Sequence, residues 1–213
     1  MSMHLKPEEI EAESFRIIDA EVGAHPWSSV EWPVVRRVIH TSADFDYARS
    51  MFFSTGAVAK GMDALRRGRG IVTDTTMALA GIAKPRLGQF GISAACFVAD
   101  GDVAVVAHES GVTRSIMAMR KAAADQANGV FVIGNAPTAL FELLRLVREE
   151  AFRPDLVIGL PVGFVGAAES KDRLIFEASG MGLSFITNRG RKGGSNVAAA
   201  VVNALLILAE KVS

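Results

Sequence analysis

Arg36, Arg37 and His40 stand together in the segment RRVIH, where one of only four histidines follows two cations by three and four residues. On a helix that spacing places the three side chains on one face, while Val34, Val35, Val38 and Ile39 supply a side to bury. Two cations beside an imidazole favour its neutral form, and a polyanionic ligand arriving there would favour the charged one. That behaviour suits a general acid that becomes charged when substrate is bound. The same residue also fits a helix-terminal histidine bonding backbone carbonyls, and spacing alone does not separate the two. Asp44 and Asp46, a few residues on, are expected to cap or orient the next helix. Of the other histidines, His4 lies near the terminus and His25 precedes Pro26 in a linker, so both read as incidental. His108 in VAHESG could touch a crevice.

Three further segments have the composition of anion sites: IGNAPTAL (133–140), GLPVGFVGAAESKD (159–172) and TNRGRKGGSN (187–196). In the first, Asn135 can cap a helix beginning near Pro137, with the Thr138 hydroxyl beside it. In the second, Gly159, Gly163 and Gly166 permit close backbone approach, and Ser170 and Lys171 offer a donor and a cation. The third sets Arg189, Arg191 and Lys192 before Gly193, Gly194 and Ser195, a helix start preceded by cations. Each taken alone also reads as an ordinary tight turn, because no phosphate-loop or dinucleotide fingerprint is met. Together they suggest a ligand with several negative groups.

The elements that must position these residues follow from periodicity. Short apolar runs at 70–74, 92–98, 129–134, 155–160 and 183–188 alternate with helical patterns at 113–127, 137–150 and 195–212, the form of β-α units. Runs so continuously apolar are covered on both faces. The expected fold is therefore three-layer α/β/α, with a mostly parallel sheet of about five strands and right-handed crossovers. The first 68 residues read as helical throughout, including ADFDYARSMFF, and the helix carrying His40 should begin between Ser29 and Pro33. Residues 1–213 read as one domain.

Composition narrows the function classes. Lys plus Arg and Asp plus Glu are 23 each, so the chain has no net basic field for nucleic acid and must hold an anionic ligand with local cations. The single cysteine, Cys96, excludes an internal disulfide and a cysteine-cluster zinc site; it lies in an apolar run and should be buried. No apolar stretch approaches the roughly 20 residues of a membrane helix, and no export signal is recognisable, so a soluble cytoplasmic protein is expected.

Taken together, ESFRII, RVIHTSADFDYA, TDTTMALAGI, VTRS, VIGNAPTALFELL, GLPVGFVGAAESKDRL and RGRKGGS resemble, in order and over nearly the whole chain, the precorrin-8X methylmutases (precorrin isomerases) and their cobalt-precorrin-8 counterparts in cobalamin biosynthesis. The resemblance implies a homodimeric isomerase that moves a methyl group from carbon 11 to carbon 12 of ring C on a tetrapyrrole, giving hydrogenobyrinate or cobyrinate. It implies no cofactor and no protein-bound metal. His40 would be the acid that triggers a 1,5-sigmatropic shift, Ser14 and Arg37 would contact substrate, and Arg114 would be a further contact. Asn135, Thr138, Ser170, Lys171 and Arg191 join this set from composition and motif location. Met51, Phe52, Phe53 and Met77 could face the apolar ring system or simply belong to the core. The sequence TSADFD after His40 stands closer to the cobalt branch. A tightly held product could be handed to the next enzyme. Two other readings stay open, a non-catalytic tetrapyrrole carrier and a phosphate- or nucleotide-binding α/β enzyme.

Overall fold

Alternation within the apolar runs decides how the sheet is packed. Ile71, Val130, Val132, Leu156, Ile158 and Ile186 point to one apolar cluster, while Val72, Phe131, Ile133, Val157 and Phe185 point to a second. Successive side chains of a strand face opposite ways, so a sheet buried on both sides needs both sets apolar. The computed structural model describes residues 6–211, and His4 lies outside them.

In chain order the elements are helices α1 (Pro7–Val22), α2 (Trp32–Ser42) and α3 (Tyr47–Ser50), strand β1 (Met51–Phe53), helix α4 (Ala57–Arg66), strand β2 (Gly70–Thr73), helices α5 (Thr76–Gly81) and α6 (Lys84–Gln89), and strand β3 (Ala94–Ala95). Helices α7 (Gly101–Glu109) and α8 (Arg114–Ala123) follow. Then come β4 (Asn128–Ile133), α9 (Pro137–Glu149), β5 (Leu156–Gly159), α10 (Ala167–Met181), β6 (Phe185–Asn188) and α11 (Ser195–Lys211). The strand order is β1-β6-β5-β4-β2-β3, parallel throughout except for β1, which runs antiparallel to β6.

The three-layer expectation holds, with two corrections. Among the described residues the sheet has six strands, not five, because Met51–Phe53 form an antiparallel edge strand instead of continuing a helix. Aromatic side chains favour the half-buried sheet surface. Phe52 stacks on Phe185 with centroids 5.9 Å apart, and Phe53 meets the edge of Trp27 at 5.5 Å. The second correction is that β3 shrinks to two residues, and Cys96 just beyond it is half-buried. Helix α2 begins at Trp32 with Pro33 in its first turn, inside the expected window.

Helices α2, α4, α5 and α11 cover one face of the sheet, and α8, α9 and α10 the other. The chain leaves β2 toward β3 through α5 on the α11 face, and leaves β4 toward β5 through α9 on the opposite face. Progress across the sheet therefore reverses between β2 and β4. Crevices in open α/β sheets form at such reversals, beyond the carboxyl ends of the strands.

Candidate active site

At the reversal the first residue beyond β2 is Asp74, 1% exposed. Its Oδ1 accepts the Gly134 N–H at 2.8 Å, and its Oδ2 accepts those of Asn135 at 2.9 Å and Ala136 at 2.7 Å. Burial pushes this carboxyl up from its ordinary value, while the three backbone donors pull against burial. Both oxygens act only as acceptors, which is the pattern of the anion. The expectation that Asn135 caps α9 is corrected here: Ala136 holds the cap position with no side-chain cap, and Asp74 takes the backbone donors that would have met a ligand. Gly134 is required beside it, since a Cβ there would lie 2.6 Å from the Cα of Ser195. Thr75 Oγ1 shares a 2.7 Å hydrogen bond with Ser195 Oγ, tying the end of β2 to the start of α11.

The loops after β5 and β6 lock together. Gly194 N–H donates to Leu160 O at 3.0 Å, Gly163 N–H donates to Arg191 O at 3.3 Å, and Gly193 packs so tightly on the Leu160 and Pro161 carbonyls that no side chain fits. Ser170 and Lys171 lie beneath these loops. Both side chains are wholly buried at the start of α10, where the first turn points them inward. Ser170 Oγ donates to Ala167 O at 3.1 Å, and Lys171 Nζ donates to Lys192 O at 2.5 Å and Asn188 Oδ1 at 3.1 Å. Their hydrogen bonds brace the loops after β5 and β6 from within. Arg191 stays exposed, its guanidinium 5.7 Å from the ring of Phe164, itself 85% exposed. Lys192 pairs with Asp44 and Asp46 at 2.6 Å each, while Asp46 holds the N-cap position of α3 and Asp44 Oδ1 accepts the Asp46 N–H at 3.0 Å, in line with the capping or orienting role expected of those acids.

His40 lies in the last turn of α2, half-buried, with its ring edge-on to Phe15 of α1 at 5.3 Å. The same Phe15 ring carries the guanidinium carbons of Arg36 at 4.4 Å and Arg37 at 4.9 Å from its centre. The two cations are not bare. Arg36 pairs with Asp19 at 2.7 Å, and Arg37 forks onto Glu11 at 2.9 and 3.0 Å. The Arg37 hydrogen bond, with its charge, holds the Glu11 carboxyl below its ordinary value. The imidazole thus faces a compensated field, a difference from the sequence reading that arises because α1 supplies both acids. Ser14, one residue from Phe15, donates its hydroxyl to Ile10 O at 2.8 Å. Ser14, Arg37 and His40 are therefore brought together on the α1–α2 pair.

Arg114, Thr138 and Asn135 form a second group. Thr113 caps α8, accepting from Ile116 N–H at 3.3 Å, and its hydroxyl meets Thr138 Oγ1 at 3.1 Å, so exposed Arg114 stands beside the start of α9. Met77 is 70% exposed just after β2, while Met51 is core. His108 is exposed in the last turn of α7, and His25 stacks on Trp32 at 4.0 Å. A cavity of about 1000 Å³ lies at the amino ends of the central strands β2, β4 and β5, among Arg69, Arg120, Arg145, Arg153 and Phe152. Three of those arginines are paired with Asp155 or Glu142, and Arg153 bonds the carbonyls of Val147 and Phe152. That cavity is helix-end structure, away from the crevice.

A family model described as precorrin-8X methylmutase matches residues 9–208. The chain belongs to that family. A cobalt-precorrin-8 methylmutase from Priestia megaterium is 47% identical over 206 residues, 97% of this chain and 90% of that protein. A precorrin-8X methylmutase from Pseudomonas aeruginosa is 44% identical over 169 residues, 79% of this chain and 80% of that protein. The crystal structure of a precorrin-8X methyl mutase from Thermus thermophilus superposes with a TM-score of 0.85 at 41% identity, covering 95% of this chain and 98% of that one.

As a methylmutase-family member the chain is an isomerase, and the resemblance read from its motifs is borne out. Among the described residues no cluster of histidine, cysteine and acidic side chains could hold a metal ion, and no helix is long and apolar enough to cross a membrane. Sequence reasoning missed Glu11, Asp19 and Asp74 as parts of the site. For Glu11 the signal was available, since an acid three residues before Ser14 shares its helix face.

Proposed function

We propose that this chain moves the methyl group from carbon 11 to carbon 12 of ring C on cobalt-precorrin-8 or precorrin-8X, with His40 as the proton donor. The observation that carries the reading is the half-buried His40 imidazole on the same α1–α2 surface as Arg37 and Ser14, in a chain matched along its length by the methylmutase family. A proton placed on the conjugated ring by the imidazolium draws electron density from the migrating centre. The methyl carbon then leaves carbon 11 as its bond to carbon 12 forms. The proton returns to the imidazole when the product tautomer settles. General acid catalysis of this kind contributes about 10²–10⁴-fold.

Arg37, Arg114 and Arg191 hold the acidic side arms, Ser14, Thr138 and Asn135 add hydrogen bonds, and Met77, Phe164 and Val165 offer apolar surface to the ring. The 47% identity to a cobalt-precorrin-8 enzyme, along 97% of the chain, supports the cobalt-loaded substrate, in which the metal travels with the substrate. Val165 and Phe176, 89% and 87% exposed, support a working unit of two copies, which would retain the product and pass it on in the cytoplasm.

The test is an absorbance assay of purified protein with both substrates. Wild type rearranges the macrocycle, and His40→Ala binds it without rearrangement. Normal turnover by His40→Ala removes the acid assignment, and tight binding without turnover by wild type makes the protein a carrier.

A further inference from the structure

We infer that Lys192 is a positioning residue for His40, gripping the end of α2 through Asp44 and Asp46. The inference rests on the reading of His40 as the acid. Lys192 is held from the interior by its own carbonyl, which accepts from Lys171 Nζ at 2.5 Å and from Asn188 Nδ2 at 2.9 Å. Asn188 is further fixed by accepting from Lys171 at 3.1 Å and donating to Arg189 O at 3.1 Å. From this anchored backbone the Lys192 ammonium reaches Asp44 Oδ2 and Asp46 Oδ2, both at 2.6 Å.

The acids continue the connection into the helix. Asp44 Oδ1 accepts the Asp46 N–H at 3.0 Å, Ser42 Oγ accepts the Asp44 N–H at 3.3 Å, and the Ser42 hydroxyl donates to Val38 O at 2.8 Å. Val38 and Ser42 bracket His40 within one turn. Two parallel ties fasten the same segment to the same loop: Tyr47 hydroxyl to Gly193 O at 3.5 Å, and Arg189 N–H to Ser50 O at 2.7 Å. Exposed ion pairs contribute little to global stability, so the consequence of this grip is local. Local placement is what general acid catalysis depends on, since a 1 Å misplacement can cost about 10²-fold in rate.

A set of variants at Lys192, Asp44, Asp46 and His40 decides it. Lys192→Met is expected to lower kcat for the macrocycle about tenfold while tetrapyrrole affinity, read by absorbance titration, and melting temperature stay near wild type. Lys192→Arg, which keeps both ion pairs, retains most of the rate. The double variant Asp44→Asn/Asp46→Asn reproduces the Lys192→Met loss, and combining all three changes adds nothing further. In a His40→Asn background Lys192→Met causes no additional loss of the residual rate. Weakened affinity with unchanged kcat in Lys192→Met would instead make Lys192 a ligand contact and overturn the inference, as would full kcat in the aspartate double variant. Full turnover by His40→Ala would remove the acid while leaving the Lys192–aspartate coupling separately measured.

Discussion

At the scale of single residues, Lys171 is a cation withdrawn from water. Its ammonium is wholly buried and bonded only to an amide and a backbone carbonyl, with no carboxylate among its hydrogen-bond partners. Burial pushes it down from 10.5 to about 8. Because the folded value lies below the unfolded one, its contribution to stability is complete above about 10.5 and is lost as pH falls through about 8. Tyr47, pushed up to about 12 by burial, works in the opposite sense only above its ordinary 10. Urea unfolding between pH 8 and pH 10 should therefore show stability rising with pH in the wild type relative to Lys171→Met, and a constant difference would show no such linkage. The sequence displayed Lys171 and Ser170 in a glycine-rich junction and hid their direction, because which residues of a helix's first turn face inward depends on the angle at which the helix meets the sheet. Arg37 and His40 were legible, since their spacing on one helix face needs no tertiary information.

Among the elements, the end of α2 carries a strain that can be measured. Ala43 closes the helix in the left-handed conformation, φ 52°, with its N–H donating to Ile39 O at 2.8 Å. A non-glycine residue there costs about 1–2 kcal/mol. Ala43→Gly should raise unfolding free energy by about 0.5–1 kcal/mol after allowing for glycine's freer unfolded chain, as read by urea titration. Strand β1 marks where element reading from sequence ends. Three residues joined directly to a four-residue helix are too short for either period to register, and only pairing with β6 distinguishes them. The parallel strands β2, β4, β5 and β6 were legible because burial on both faces leaves a run that is apolar throughout, whereas the half-buried β3 was overextended.

Across the whole molecule, acid stability depends on carboxylates held by guanidinium groups. Glu142, 6% exposed between α8 and α9, receives Arg120 Nε at 2.7 Å and Arg145 at 2.6 and 3.0 Å. Burial alone would raise its carboxyl, and the two arginines outweigh burial to hold it below the ordinary value. Asp155, shared by Arg67 and Arg69, is held low in the same way. Lowered folded values mean that this stability is present above about 4.5 and disappears as pH falls through the folded values. Circular dichroism on acid titration should show unfolding beginning below that point. Glu142→Gln should cost about 1–3 kcal/mol at neutral pH and flatten the acid limb, the cost being moderated because both guanidiniums stay partly in water.

The layered architecture followed from the order of β and α patterns, but the strand order did not, because the reversal between β2 and β4 is a tertiary choice. At that reversal the backbone donors before α9 already hold Asp74. The fold thus carries its own competitor for free phosphate and nucleotides, attached at an effective concentration well above the millimolar order of a flexible tether. Inorganic phosphate therefore meets a helix start whose three backbone donors are already taken. Asp74→Ala, if it folds, should acquire a weak phosphate affinity that the wild type lacks, measurable by calorimetry with inorganic phosphate.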